Sequence, residues 1–175
     1  MIILHPWVRG VRPADQAFCW SALAGAEAAG FTVEHLELPA TDPFAYARGL
    51  RRVWGRDALL VIEHDVEPSL ALLEALRDCP EDLCTRLYDG QQPVTGVTHL
   101  GCTKFSLRCQ TELPCPALGS MEYTGLDVEV TGFCAYWLHQ NWHCHTEPLE
   151  HHHARPAWHP QRDAPWHAIG GVVGS

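Results

Sequence analysis

Three groups of residues in this 175-residue chain have the types and spacings that chemistry uses. The first is Glu63-His64-Asp65, two carboxylates and an imidazole within three residues. Two carboxylates held together repel unless a cation or a proton sits between them. An oxygen-rich set of this kind suits Mg²⁺ or Mn²⁺, ions that commonly carry substrate phosphates. The second group is Asp127, with Glu122 and Glu129 close in sequence. The third is His143, His145 and Glu147, followed by His151-His152-His153. Imidazole is the commonest metal ligand near neutral pH, and on a strand His143 and His145 share one face, so the H-x-H pair can chelate. Each group also has a plainer role. Acids at a strand end cap the following helix, Asp127 suits an N-cap, and a His-rich loop can simply be solvated.

These residues depend on the elements that place them. Residues 58–62 (ALLVI) are an unbroken apolar run that ends abruptly in Glu63. Such a run reads as a strand buried on both faces, as in a parallel sheet. Ligands of open α/β sheets bind where such strands end. Glu63 and Asp65 project to the same side if the strand continues. Pro68-Ser69 restarts the chain, and residues 70–79 form an amphipathic pattern capped by Ser69. Upstream, residues 2–4 make a short first strand closing at His5-Pro6, and residues 15–29 have helical spacing with Gly30 as C-cap. Residues 31–38 alternate as a second strand, and 41–55 form a second helix opened by Thr41-Asp42-Pro43. The order β-α-β-α-β-α implies a parallel sheet with right-handed crossovers.

After Cys79 the chain changes character. Residues 80–96 are rich in turn formers and are expected to loop over the surface, and 97–105 form a strand interrupted by Gly101. Residues 110–121 read as loop, 126–138 as helix and 142–145 as a short strand. Beyond Glu150 the tail is rich in His, Pro and Trp. The expected organisation is one domain over residues 1–150 and a partly extended tail over 151–175.

Composition narrows the function classes. An apolar content of 46% suits a folded domain with a real core. A formal charge of −9 argues against nonspecific nucleic-acid binding, which needs a basic face. No apolar run approaches the ~20 residues of a membrane span. The start, MIILHPW, has neither a charged n-region nor a long apolar h-region, so a cytoplasmic location is expected. The eight cysteines include no C-x-x-C pair, and most suit small, reduced core residues. Cys79 and Cys84 are spaced C-x₄-C, which leaves both a disulfide and a zinc pair open.

The order of parallel β-α-β units, a buried strand ending in VIEHDVEP, a GCTKF strand, TGLDVEV and a late H-x-H resembles a GT-A-type glycosyltransferase. The resemblance spans residues 1–150, with Glu-His-Asp in place of a strict DxD triplet. It implies a Rossmann-like, mostly parallel mixed sheet flanked by helices. It also implies transfer of a sugar from a nucleoside-diphosphate donor to an acceptor, with inversion, assisted by Mn²⁺ or Mg²⁺. Asp65 matches the direct metal ligand, with Glu63 beside it, and His143 or His145 matches the late histidine that completes the coordination. Asp127 matches the catalytic base. His5, Pro6 and Glu37 are expected at the nucleobase and ribose, and His64, Gly101 and Cys102 at the donor, with Thr103 beside them. Lys104 or Arg52 would offset diphosphate charge. Two other readings stay open: a zinc-binding structural or interaction module built from cysteines and late histidines, and a GT-A-like protein that binds nucleotide without catalysis.

Overall fold

The computed structural model describes residues 1–8, 13–38, 45–86, 101–112, 115 and 142–151. Along these, the chain runs β1 (Ile2–Val8), α1 (Pro13–Ala28), β2 (Thr32–Leu38), α2 (Ala45–Val53), β3 (Leu59–Ile62), β4 (Val66–Pro68) and α3 (Leu70–Asp78). It continues through β5 (Leu83–Thr85), β6 (Cys102–Phe105), α4 (Leu107–Glu112), β7 (Trp142–Cys144) and β8 (Leu149–His151). Six strands form one sheet in the order β2-β1-β3-β6-β5-β7. β1 lies parallel to β2 and β3, β6 is antiparallel to β3 and β5, and β7 is parallel to β5. Five strands therefore point one way and β6 alone is reversed. This is the mixed, mostly parallel α/β sheet that the alternating elements imply. β4 and β8 make a separate antiparallel pair.

The central strand is the one with the unbroken apolar run. All four residues of β3 are fully buried because helices cover both faces of the sheet. On one face Leu59 and Val61 pack with Leu4, Leu50, Val53 and Phe105 under α2. On the other, Leu60 and Ile62 pack with Ile3, Cys19, Leu23, Leu72 and Leu76 under α1 and α3. Each large aliphatic side chain so enclosed contributes about 1.5–3 kcal/mol. Gly30 closes α1 with φ of +89°, a conformation glycine adopts without strain. Ser69 caps α3, its hydroxyl accepting from the Leu72 amide at 3.2 Å.

Four elements differ from the sequence reading. β1 does not close at His5-Pro6 but runs to Val8, in register with β2 at His5↔His35 and Pro6↔Leu36. The amide of Ile2 points toward β3, bonding to the Ala58 carbonyl at 2.8 Å, so Pro6 points the same way by alternation. β3 stops pairing with β1 at Leu4↔Val61, so the missing N–H of Pro6 costs no ladder bond there. Residues 83–85 are not surface loop but a buried sheet strand, too short to show a period. Residues 107–112 form α4 where loop was expected from 110 onward. Its start is fixed by Ser106, whose hydroxyl accepts from the Cys109 amide at 3.0 Å. Buried Gln110 then ties α4 to the body, its amide nitrogen donating to the carbonyls of Asp57 at 2.8 Å and Phe105 at 3.0 Å. β8 includes His151 and so crosses the boundary expected after Glu150. No helix among the described residues is long and apolar enough to cross a membrane.

Candidate functional site

β3 delivers Glu63, His64 and Asp65 at its carboxyl end, but the strand itself stops at Ile62. The Val66 amide donates back to the Glu63 carbonyl at 3.1 Å, closing a four-residue turn before β4. The alternation that would set Glu63 and Asp65 on one side therefore does not extend to them. The Glu63 amide donates to the Gly101 carbonyl at 3.0 Å, anchoring the turn to the strand beside it. The thiol of Cys19 on α1 reaches the Glu63 carbonyl at 3.4 Å from below. The Glu63 carboxylate faces α2, where the Tyr46 hydroxyl approaches Oε1 at 3.4 Å. His64 and Asp65 are buried, Asp65 with 9% of its surface exposed. The Cys19 thiol is pushed up, first by burial and then by the Asp65 carboxylate.

Beside this turn β1 and β2 hold a cluster of rings together with α1. His5 is fully buried, and its Nδ1 lies 2.9 Å from Nδ1 of His35. Trp20 of α1 stacks on His35 at 4.3 Å and meets His5 edge-on at 4.9 Å, and Trp7 packs on Trp20 at 6.0 Å. The His5 imidazole is lowered to about 3, first by burial and then by the neighbouring His35 and His64. Burial also lowers His35, against the pull of Glu27. Both rings are thus neutral near pH 7, one Nδ1–H donating to the other. Glu37, half-buried, lies in register with Trp7, and Pro6 with Leu36. The residues expected to meet a nucleobase and ribose are therefore neighbours at one sheet edge, among aromatic faces of the kind that stack on bases.

The other expected residues are placed differently. Gly101 serves the turn through its carbonyl. Cys102 is fully buried in the core beneath α1 and α3. Thr103 is buried, its hydroxyl 3.0 Å from that of Thr85. Arg52 lies 3.7 Å from Glu34 on the outer strand β2. Lys104 is buried and donates to the Cys79 carbonyl at 2.5 Å, which commits it to the end of α3. Asp127, Glu122, Glu129 and the helix expected over 126–138 lie outside the described residues, as do His152 and His153.

The late histidines divide. β8 sets His151 in register with Val66, the residue after Asp65. β7 sets His143 in register with Cys84, and His145 follows it. His145 joins Cys79 and Cys84, one ligand atom from each lying within 4.8 Å of the others. Among the described residues this is the one group of three His, Cys, Asp or Glu side chains so gathered. Cys79 and Cys84 are free thiols, not a disulfide. Burial raises the Cys84 thiol, and a hydrogen bond with the Cys79 side chain raises it further.

Sequence reasoning missed Cys19, Trp20, His35 and Tyr46 as neighbours of the turn. Trp20 shows itself only in the structure, where it and Phe18 are large apolar residues left well exposed on α1. His35 and Tyr46 carried no signal in the sequence, because only the strand register and the α2 packing bring them in.

No known protein family matches the chain, and no curated protein matches it by sequence. Solved structures do resemble it. The crystal structure of A197 from STIV superposes with a TM-score of 0.54 at 13% identity, over 86% of this chain and 84% of that one. A protein assigned as a glucose-1-phosphate thymidylyltransferase from Bacillus anthracis, solved in complex with sucrose, gives 0.41 at 12%, over 78% and 66%. A glycosyltransferase involved in glycosylation of the major capsid of PBCV-1 gives 0.42 at 10%, over 83% and 82%. At 13% identity the likeness to A197 is one of fold.

Proposed function

We propose that this chain is a metal-dependent glycosyltransferase of GT-A type, using a nucleoside-diphosphate sugar and inverting at the transferred carbon. The observation that carries the reading is the carboxylate turn at the end of the buried central strand, beside the ring cluster on β1 and β2. A sheet edge that offers flat aromatic faces next to acidic oxygens suits a base on one side and a metal-bound diphosphate on the other. The ion in this reading is Mn²⁺ or Mg²⁺, because hard cations take oxygen ligands and the turn carries the carboxylates of Glu63 and Asp65. Such an ion, when bound, neutralises charge on the departing diphosphate. In this reading Asp65 holds the ion, Glu63 is oriented by Tyr46, and His64 borders the donor. β8 supplies His151 as the late histidine nearest in register, with His143 and His145 belonging to the neighbouring sheet edge. Asp127 takes the proton of the acceptor hydroxyl.

The test is thermal stability of the chain against UDP, GDP, ADP, CDP and dTDP, each with and without Mn²⁺. One nucleotide is expected to stabilise the protein only when Mn²⁺ is present, and Asp65→Asn is expected to lose that stabilisation at an unchanged unliganded melting temperature. No Mn²⁺-dependent nucleotide effect in the unaltered protein overturns the reading. An undiminished effect in Asp65→Asn overturns the role of Asp65.

A further inference from the structure

We propose that Cys79, Cys84 and His145 bind one Zn²⁺, at a site separate from the carboxylate turn. Two sulfurs and an imidazole nitrogen within 4.8 Å of one another form a soft and borderline donor set. Zn²⁺ selects such a set, and Mg²⁺ or Mn²⁺ does not. The three ligands come from three elements whose backbones are pinned independently. Cys79 terminates α3 in an extended conformation, its amide bonded to the Ala75 carbonyl at 2.9 Å. Cys84 is the middle residue of β5, hydrogen-bonded on both sides within the sheet. The His145 amide donates to the Thr85 carbonyl at 2.8 Å, which extends the β5–β7 ladder and fixes the approach of the ring. A site held by the sheet and a helix end needs little reordering to take an ion.

The surroundings suit the charge of such a site. Glu147 Oε2 lies 3.3 Å from His145 Nδ1. A carboxylate at Nδ1 accepts the Nδ1–H hydrogen bond and so leaves Nε2 as the ligand nitrogen, the usual arrangement behind a zinc-bound histidine. Glu147 is itself held through its carbonyl, which accepts from Arg86 Nε at 2.8 Å. Buried Lys104 lies directly across from Cys84 in the ladder and bonds to the Cys79 carbonyl, so an ammonium stands beside the Cys84 thiol and the Cys79 backbone. Binding displaces the two thiol protons, and the complex of Zn²⁺ with two thiolates is then neutral. Cys79 and His145 line a surface depression together with Ala75, Asp78, Pro80 and Glu81. That depression is the path by which the ion enters, and water from it fills the fourth position.

The full chain, purified without a metal-affinity column and with its thiols reduced, tests this by Zn²⁺ content and by Co²⁺ substitution. One zinc per chain is expected. Co²⁺ is expected to give a thiolate-to-metal charge-transfer band in the near ultraviolet, displaced by one equivalent of Zn²⁺. The band should persist when His151, His152 and His153 are all changed to alanine, which removes adventitious binding by that run, and disappear in Cys84→Ser. Should Cys84→Ser fail to fold, Cys79→Ser on the half-buried ligand gives the same reading. Co²⁺ binding without a thiolate band overturns the proposal. So does reduced protein that carries no zinc and takes up no Co²⁺, or a thiolate band that survives both cysteine changes. None of these outcomes depends on nucleotide binding, so the site and the transferase reading stand or fall separately.

Discussion

The turn after β3 and the corner between α3, β5 and β7 are both polar clusters built against the same sheet, yet they are made of opposite chemistry. The turn offers carboxylate oxygens, with neutral imidazoles and indoles beside them. The corner offers two thiols and an imidazole, with an ammonium and a carboxylate behind them. Hard ions take the first and borderline ones the second. The positions differ too. The turn stands at the carboxyl end of the central strand, where the fold places substrates, whereas the corner lies at the outer edge of the sheet, joining β5 and β7 to the end of α3. The difference suggests one metal for substrate and another for architecture.

Selective chelation separates the two most sharply. If the corner holds zinc at about a thousand times its dissociation constant, the ion adds roughly 4 kcal/mol. A high-affinity zinc chelator should then lower the melting temperature by roughly 10 °C in a domain of this size. Mn²⁺ should not restore it. Restoration by Mn²⁺ would mean that the stabilising ion sits on oxygen ligands and would erase the distinction.

The next largest effect is expected at the turn. Asp65→Asn keeps the shape and removes the charge, and it should weaken Mn²⁺-dependent nucleotide binding about 100-fold, or ~2.7 kcal/mol. Zinc content should not change. Calorimetry with the preferred nucleotide and metal analysis of the same sample check both statements. Loss of zinc along with nucleotide binding would show one coupled site instead of two.

What could be seen beforehand differs between the regions in the same way. The turn was legible because its evidence is local: ALLVI must be buried, and Glu63-His64-Asp65 follows without a gap. Ser69 and Gly30 were legible for the same reason, as caps read from single residues. The corner was only half visible. C-x₄-C and H-x-H each appear in the sequence, but 60 or so residues lie between them, and only the parallel pairing of β5 with β7 brings them together. β5 itself was hidden, three residues being too few to show a period. His145 was accordingly expected at the carboxylates, whereas the register takes it to the cysteines and takes His151 toward Asp65. The continuation of β1 through Pro6 was hidden as well, since proline normally ends a strand and only the free edge beyond Leu4 lets it stay.

The ring cluster beside the turn gives a pH signature of its own. His5 is buried and neutral, with His35 of β2 and His64 of the turn as the titratable groups lowering it and Trp20 of α1 packed on its edge. Its folded value of about 3 lies below the unfolded 6.5, so the unfolded chain binds the extra proton first. The stability due to a neutral His5 is complete above 6.5 and is lost as pH falls toward 3. The slope approaches about 1.4 kcal/mol per pH unit, or roughly 2 kcal/mol between pH 6.5 and 4.5. His5→Gln should flatten the profile in that interval when denaturant midpoints are compared across pH. An unchanged slope would show that His5 is not the group that titrates.

The smallest expected effect bears on whether the two regions communicate. α3 is the one described element that begins just after the turn and ends in a ligand of the corner. Its first turn is held by the Ser69 hydroxyl on the Leu72 amide. Ser69→Ala removes that cap and should cost about 1 kcal/mol of stability. α3 is also locked by Leu72, Leu73 and Leu76 in the core, so a frayed first turn should not propagate to Cys79. Zinc affinity and nucleotide affinity should therefore both stay within twofold of the unaltered protein. A drop in both affinities would mean that the helix transmits strain between them. The turn and the corner would then have to be treated as one device, with α3 as its lever.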